Sequence, residues 1–148
     1  MAIVQKIRSS TALTLSVLTF VIVAIFCGIL LYWSFYPFKT IIDKQPSQVV
    51  NTEVEAGRSV IVIKDYCKYT SINATLIRNL INNTSIPLPE VKSTLPKGCH
   101  VTNVIIPIPD YVPTGKYYLK TTSIYKINPV RTISVDANTV EFNITGKD

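Results

Sequence analysis

Residues 12–33 read ALTLSVLTFVIVAIFCGILLYW, 22 residues diluted only by Thr14, Ser16, Thr19 and Gly28, within a stretch from 9 to 38 that carries no charged side chain. A helix of that length rises about 33 Å, which matches a hydrocarbon core of roughly 30 Å. The stretch predicts a transmembrane α-helix over residues 11–36, preceded by a short cytoplasmic tail over 1–10. Tyr32, Trp33 and Tyr36 cluster at its far end, where amphipathic rings settle among lipid headgroups. Pro37 then stops the helix. Lys6 and Arg8 before it and Lys39 after it act as interface anchors, worth on the order of 1 kcal/mol each near an anionic surface. A cleaved signal peptide has the same basic start, but its apolar core runs only about 7–15 residues and ends in small residues. Here aromatic rings stand where cleavage would occur. A buried core helix is disfavoured, because no second apolar helix exists to pack against it.

The whole chain has 148 residues, 47% of them hydrophobic and 16% charged, which leaves room for one ordinary domain after the anchor and excludes a large multidomain enzyme. Four of the five Phe precede residue 39, so composition changes sharply where the apolar run ends. Positive charge on the two sides of the helix nearly balances, and the orientation follows from the larger segment. Cys67, Cys99 and several Asn-x-Ser/Thr triplets suit an oxidising compartment. The expected topology is a single pass with the N-terminus cytoplasmic, or inside a virion, and the C-terminal domain periplasmic or extracellular.

Residues 37–46 read as a short linker, and 47–148 as an all-β immunoglobulin-like sandwich. That segment holds nearly all the Pro and Gly punctuation, with β-branched runs between turn signals. Strands are expected over 48–55, over 60–69 as a central strand, over 101–106, over 115–125, over 131–135 and over 140–144. The clearest is GKYYLKTTSIY, in which Tyr117, Leu119, Thr121 and Tyr125 share one face while Tyr118, Lys120 and Thr122 share the other. Residues 73–81 stay ambiguous. Leu76, Ile77, Leu80 and Ile81 have helical spacing, whereas Ala74, Leu76 and Leu80 fit a period of two interrupted by Arg78.

Chemistry is hard to find. Cys67 and Cys99 are the only cysteines outside the apolar run, and a disulfide between them would close a loop of about 33 residues. Two reduced, buried thiols are the rival reading. A metal site formed with His100 lacks a fourth soft ligand, so no metal is expected. His100 is the sole histidine, and Cys99 points to the opposite face of its strand, which disfavours a nucleophile–base pair. The acids are scattered singly, and no phosphate-binding glycine loop is present. No catalytic residue and no cofactor are expected, and no small-molecule substrate. From residue 45 onward 11 Lys and Arg face 8 acids, a surplus too mild and too dispersed for nucleic acid.

What remains is contact. Tyr111, Pro107, Pro109 and Pro113 lie in IPIPDYVPTG, whose prolines lower the ordering entropy lost on binding. Tyr118, Tyr66 and Tyr69 are further exposed-face candidates, since tyrosine concentrates at interfaces. Four triplets, at Asn73, Asn82, Asn83 and Asn143, fit the N-glycosylation pattern.

DYCKY (65–69), LPKGC (95–99), IPIPDYVPTGKYYL (106–119) and YKINPVRTISV (125–135), behind a short N-terminal anchor, resemble small membrane-anchored proteins encoded by bacteriophages. The resemblance implies a viral or infected-cell setting and an immunoglobulin-like exterior of unassigned activity, and transfers no catalytic residue. The expected function is a non-enzymatic structural or protein-binding module in a virion membrane or infected-cell envelope. Its partners are the lipid bilayer and another protein, with a homo-oligomer as a further option. The alternative is an effector acting on the host envelope, in superinfection exclusion or lysis.

Overall fold

The computed structural model describes residues 2–44 and 46–146. The side chains of residues 2–12 lie outside that description, Lys6 and Arg8 among them. The chain forms two compact units, one built on the helix and the other the β-rich domain.

The helix α1 (Ala2–Phe35) runs through the apolar stretch and also takes in most of the expected tail. Its segment Leu13–Phe35 is long and apolar enough to cross a membrane, and none of it is buried against protein. Two of its hydroxyls are satisfied internally: Thr19 Oγ1 donates to Leu15 O and Ser34 Oγ to Leu30 O, each at 2.9 Å. That removes the cost of carrying them into lipid, where no water can bond them. The Tyr32 and Tyr36 rings meet one turn apart, tilted at 43° with centroids at 5.0 Å. Both are exposed, as are Trp33 and Lys39.

The β domain is two sheets around a shared core. The first contains β1 (Ile41–Asp43), β2 (Gln48–Val49), β4 (Ser59–Lys68) and β7 (Gly98–Pro107). β4 is central, with β1 and β2 following each other along one side and β7 paired along its whole length on the other. The second contains β3 (Glu53–Glu55), β5 (Thr75–Ile81), β6 (Ser85–Lys92), β8 (Gly115–Asn128), β9 (Arg131–Asn138) and β10 (Phe142–Thr145). Its order is β3-β10-β8-β5-β6, with β9 on β8. β3 and β10 run parallel; the other registered pairs are antiparallel.

Three sequence expectations need correction. The linker over 37–46 contains β1, held to β4 by the register Ile41↔Lys68 and by buried Thr40 and Ile41, so β structure starts earlier in the sequence than residue 47. The single strand over 48–55 is two, β2 and β3, in different sheets. The segment IPLPEV, which gave no strand signal, lies in β6 and pairs with β5. Of the ambiguous residues 73–81, those from Thr75 to Ile81 form strand β5, because pairing with β8 on one side and β6 on the other satisfies its backbone.

Alternation places the core. Val60, Val62, Lys64 and Tyr66 of β4 face inward, as do Leu76 and Leu80 of β5 and Tyr117, Leu119, Ser123 and Tyr125 of β8. They gather in two clusters. Val62, Leu80 and Leu119 belong to one, and Tyr66, Leu76 and Tyr125 to the other. Between the clusters runs a polar band: Lys64 separates Val62 from Tyr66, Arg78 separates Leu76 from Leu80, and Thr121 with Ser123 separates Leu119 from Tyr125. Lys64 is neutralised by Asp43, Nζ to Oδ1 at 3.3 Å.

Candidate functional site

Strand β7 forms one edge of its sheet, and the hydrogen bonds at its end fix which backbone groups are free. Ile108 donates its N–H to Arg58 O at 2.8 Å and accepts from Gly57 N–H at 3.1 Å. Successive residues of a strand point their N–H and C=O to opposite sides. The even-numbered residues of β7 therefore bond β4, and Cys99, Val101, Asn103 and Ile105 aim theirs at the open side. The opposite side of β4 is consistent with this phase, since Ile61 O and Asp65 O accept from Val50 and Lys44.

Exposed edges usually carry defences such as Pro, charge or shortness. Those of the other sheet do; β9, which lies outside β8, is eight residues long and carries Arg131 at its start and Asp136 near its end. β6 sets Pro87 on its open side, because Thr84 O bonds Asn82 and so turns the even positions toward β5. It also bulges where Ile77 faces both Pro89 and Glu90. β3 has three residues, two of them Glu. Along β1 and β2 the strands are three and two residues long. β7 runs for ten residues with no Lys, Arg, Asp or Glu, and its proline comes only at Pro107.

The same odd-numbered residues put their side chains on the outer face of the sheet. Val101 and Ile105 are each 67% exposed, and Ile42 on β1 is 50% exposed. Half-buried Ile61 and Ile63 lie between them on β4. Cys67 and Cys99, directly opposite in register, are joined by a disulfide on this face. It ties neighbours within one sheet, whereas in antibody domains the bridge spans two. His100 turns the other way, its Nε2 3.1 Å from Lys97 O and its ring 6.0 Å from that of Tyr66.

The residues singled out from sequence separate. Tyr111 is exposed on the loop after β7, which is anchored by buried Ile108 and Val112. Pro107 and Pro113 are exposed and Pro109 half-buried. Tyr117 Oη donates to Pro113 O at 3.1 Å and so fixes the loop's far end. Half-buried Tyr118 is on the second sheet, opposite Ile81, and does not join this surface. Tyr66 is wholly buried, which removes it as an exposed candidate; its hydroxyl reaches Pro96 O at 3.5 Å and burial raises its pKa. Tyr69 is exposed. Sequence reading missed the free edge, because which strand of a sheet lies outermost is a property of pairing.

The polar band opens into a cavity of about 480 Å³ lined from both sheets. Arg78 lines it, and burial pulls its pKa down from the ordinary arginine value. Among the described residues no three His, Cys, Asp or Glu side chains stand together as a metal site would require. No protein-family model matches the chain, and no curated protein matches it.

Proposed function

We propose that this is a non-enzymatic, membrane-anchored binding protein whose immunoglobulin-like domain, on the outer side of the membrane, takes up an extended segment of a partner protein along β7. The carrying observation is the contrast between edges: one long apolar edge lies open in a domain whose other edges are short, charged or interrupted by proline. An added strand would bond the backbone of Cys99, Val101, Asn103 and Ile105 and cover Val101 and Ile105, the pattern of strand addition. The resemblance to phage-encoded anchored proteins supplies the setting, a virion membrane or infected-cell envelope.

The test is capture of the partner from membranes that contain the full chain. Asn103→Pro removes one open-side donor and Ile105→Lys places charge on the face; each should abolish capture of a protein that Tyr118→Ala still captures. Capture that persists in both β7 variants would overturn the proposal. A second copy of the chain as the captured species would replace the foreign partner with self-association.

A further inference from the structure

The inner polar band carries a second feature, a cavity whose lining shares Asn103 and Ile105 with the β7 edge. Arg78 sits on the core-facing side of β5 between Leu76 and Leu80, a position where a leucine would continue the pattern and close the core. Instead it places a permanent cation between the sheets, across from Thr121 on β8 and Leu88 on β6. Its Nε is buried with no hydrogen-bond partner, and no acid forms an ion pair with it among the described residues. A half-buried guanidinium whose Nε is shut off from solvent and unbonded carries a desolvation cost, and proteins ordinarily satisfy such a donor.

Among the described residues no Asp or Glu lines this cavity, whereas Lys64 and Lys92 join Arg78 on its wall. Lys64 is matched by Asp43, whereas half-buried Arg78 has no counter-charge on the cavity wall among the described residues. Apolar wall is supplied by Val62, Leu76, Val104 and Leu119, and hydroxyls by Thr102 and Thr121. A volume of about 480 Å³ falls within the range of small-molecule sites. Such a combination recognises one ligand class: an oxyanion head that a guanidinium fork can grip, on a short apolar body.

We infer that the inter-sheet cavity binds a small anionic amphiphile, its carboxylate or phosphate head on Arg78 and its apolar body against Val62, Val104 and Leu119. The head completes the missing hydrogen bond of Nε, and the body fills space that the two core clusters leave between them.

The full chain in zwitterionic nanodiscs, titrated with hexanoate, hexyl phosphate and hexanol, tests this. The readouts are affinity and the NMR signal of the Arg78 Nε–H. At least one of the two acids should bind ten-fold or more tightly than hexanol and shift that signal, and preference between them identifies the head. Arg78→Met should lose ten-fold or more in acid affinity while treating hexanol as the parent does. Equal binding of acid and alcohol, no binding, or an Nε–H signal unmoved by acid at saturation would overturn the inference. The NMR readout on the parent chain decides even if Arg78→Met fails to fold.

Discussion

Lys64 of β4 and Asp43 of β1 meet at 3.3 Å inside the domain, each side chain nearly buried, so the first strand after the helix is held to the central strand by an internal ion pair. Removing one member of such a pair leaves a buried charge uncompensated. Asp43→Asn should therefore cost about 3 to 5 kcal/mol in denaturant unfolding. Replacing both, Asp43→Leu with Lys64→Met, should recover most of that loss, because the penalty belongs to the unpaired charge. A double variant as unstable as the single one would contradict this.

Alkaline pH probes the second core cluster. Tyr125 is buried, and its pKa is pushed up to about 12 by desolvation, then by the charge of Asp43 and by Tyr66. An unfolded tyrosine releases its proton near 10. The folded state thus binds more protons than the unfolded one between those values. The contribution to stability is fully present below about pH 10 and falls away as pH rises toward 12, by roughly 2 to 3 kcal/mol. Unfolding free energy measured across that window should drop, and Tyr125→Phe should flatten the curve. An unchanged slope in the variant would assign the drop to other groups.

The disulfide closes 32 residues of sequence separation between Cys67 and Cys99. Chain-entropy reasoning puts its contribution at about 3 to 4 kcal/mol. Cys67→Ser with Cys99→Ser should lower stability by about that amount and leave β4 and β7 paired, since eight further register positions hold them between Val60↔Ile106 and Lys68↔Gly98, Cys67↔Cys99 apart. Amide exchange along β7 at open-side Val101 and Asn103 should be fast in both forms, whereas Thr102 and Val104 should stay protected. Loss of protection at Thr102 in the variant would make the bridge a requirement for pairing.

Gly57 closes the turn against the proline loop. Its φ is +87°, and a Cβ there would collide with Asp110 Oδ1. Gly57→Ala should cost about 1 to 2 kcal/mol through left-handed backbone strain alone. An unchanged melting temperature would contradict this.

The helix and β8 were legible because each obeys one period without interruption: 22 residues free of charge, and the Tyr117-Leu119-Thr121 alternation. β6 was not, because Pro87 and Pro89 are strand breakers anywhere except on an edge. β1 hid in a segment that reads as linker, since three residues carry no period. Arg78 was visible as a break in the β5 pattern. Its meaning needed the opposite sheet, which leaves it no acid. Tyr66 and the β7 edge failed for one reason: facing and outermost position are set by partners distant in sequence.

The most direct test of the anchored, outward-facing domain is protease treatment of sealed membrane vesicles of known sidedness that carry the full chain. Digestion of the β domain from the outer side, with the 13–35 segment retained in the bilayer after alkaline extraction, is the expected result. A domain protected until the vesicles are permeabilised would reverse the sidedness. A chain released by alkali without detergent would abolish the anchor.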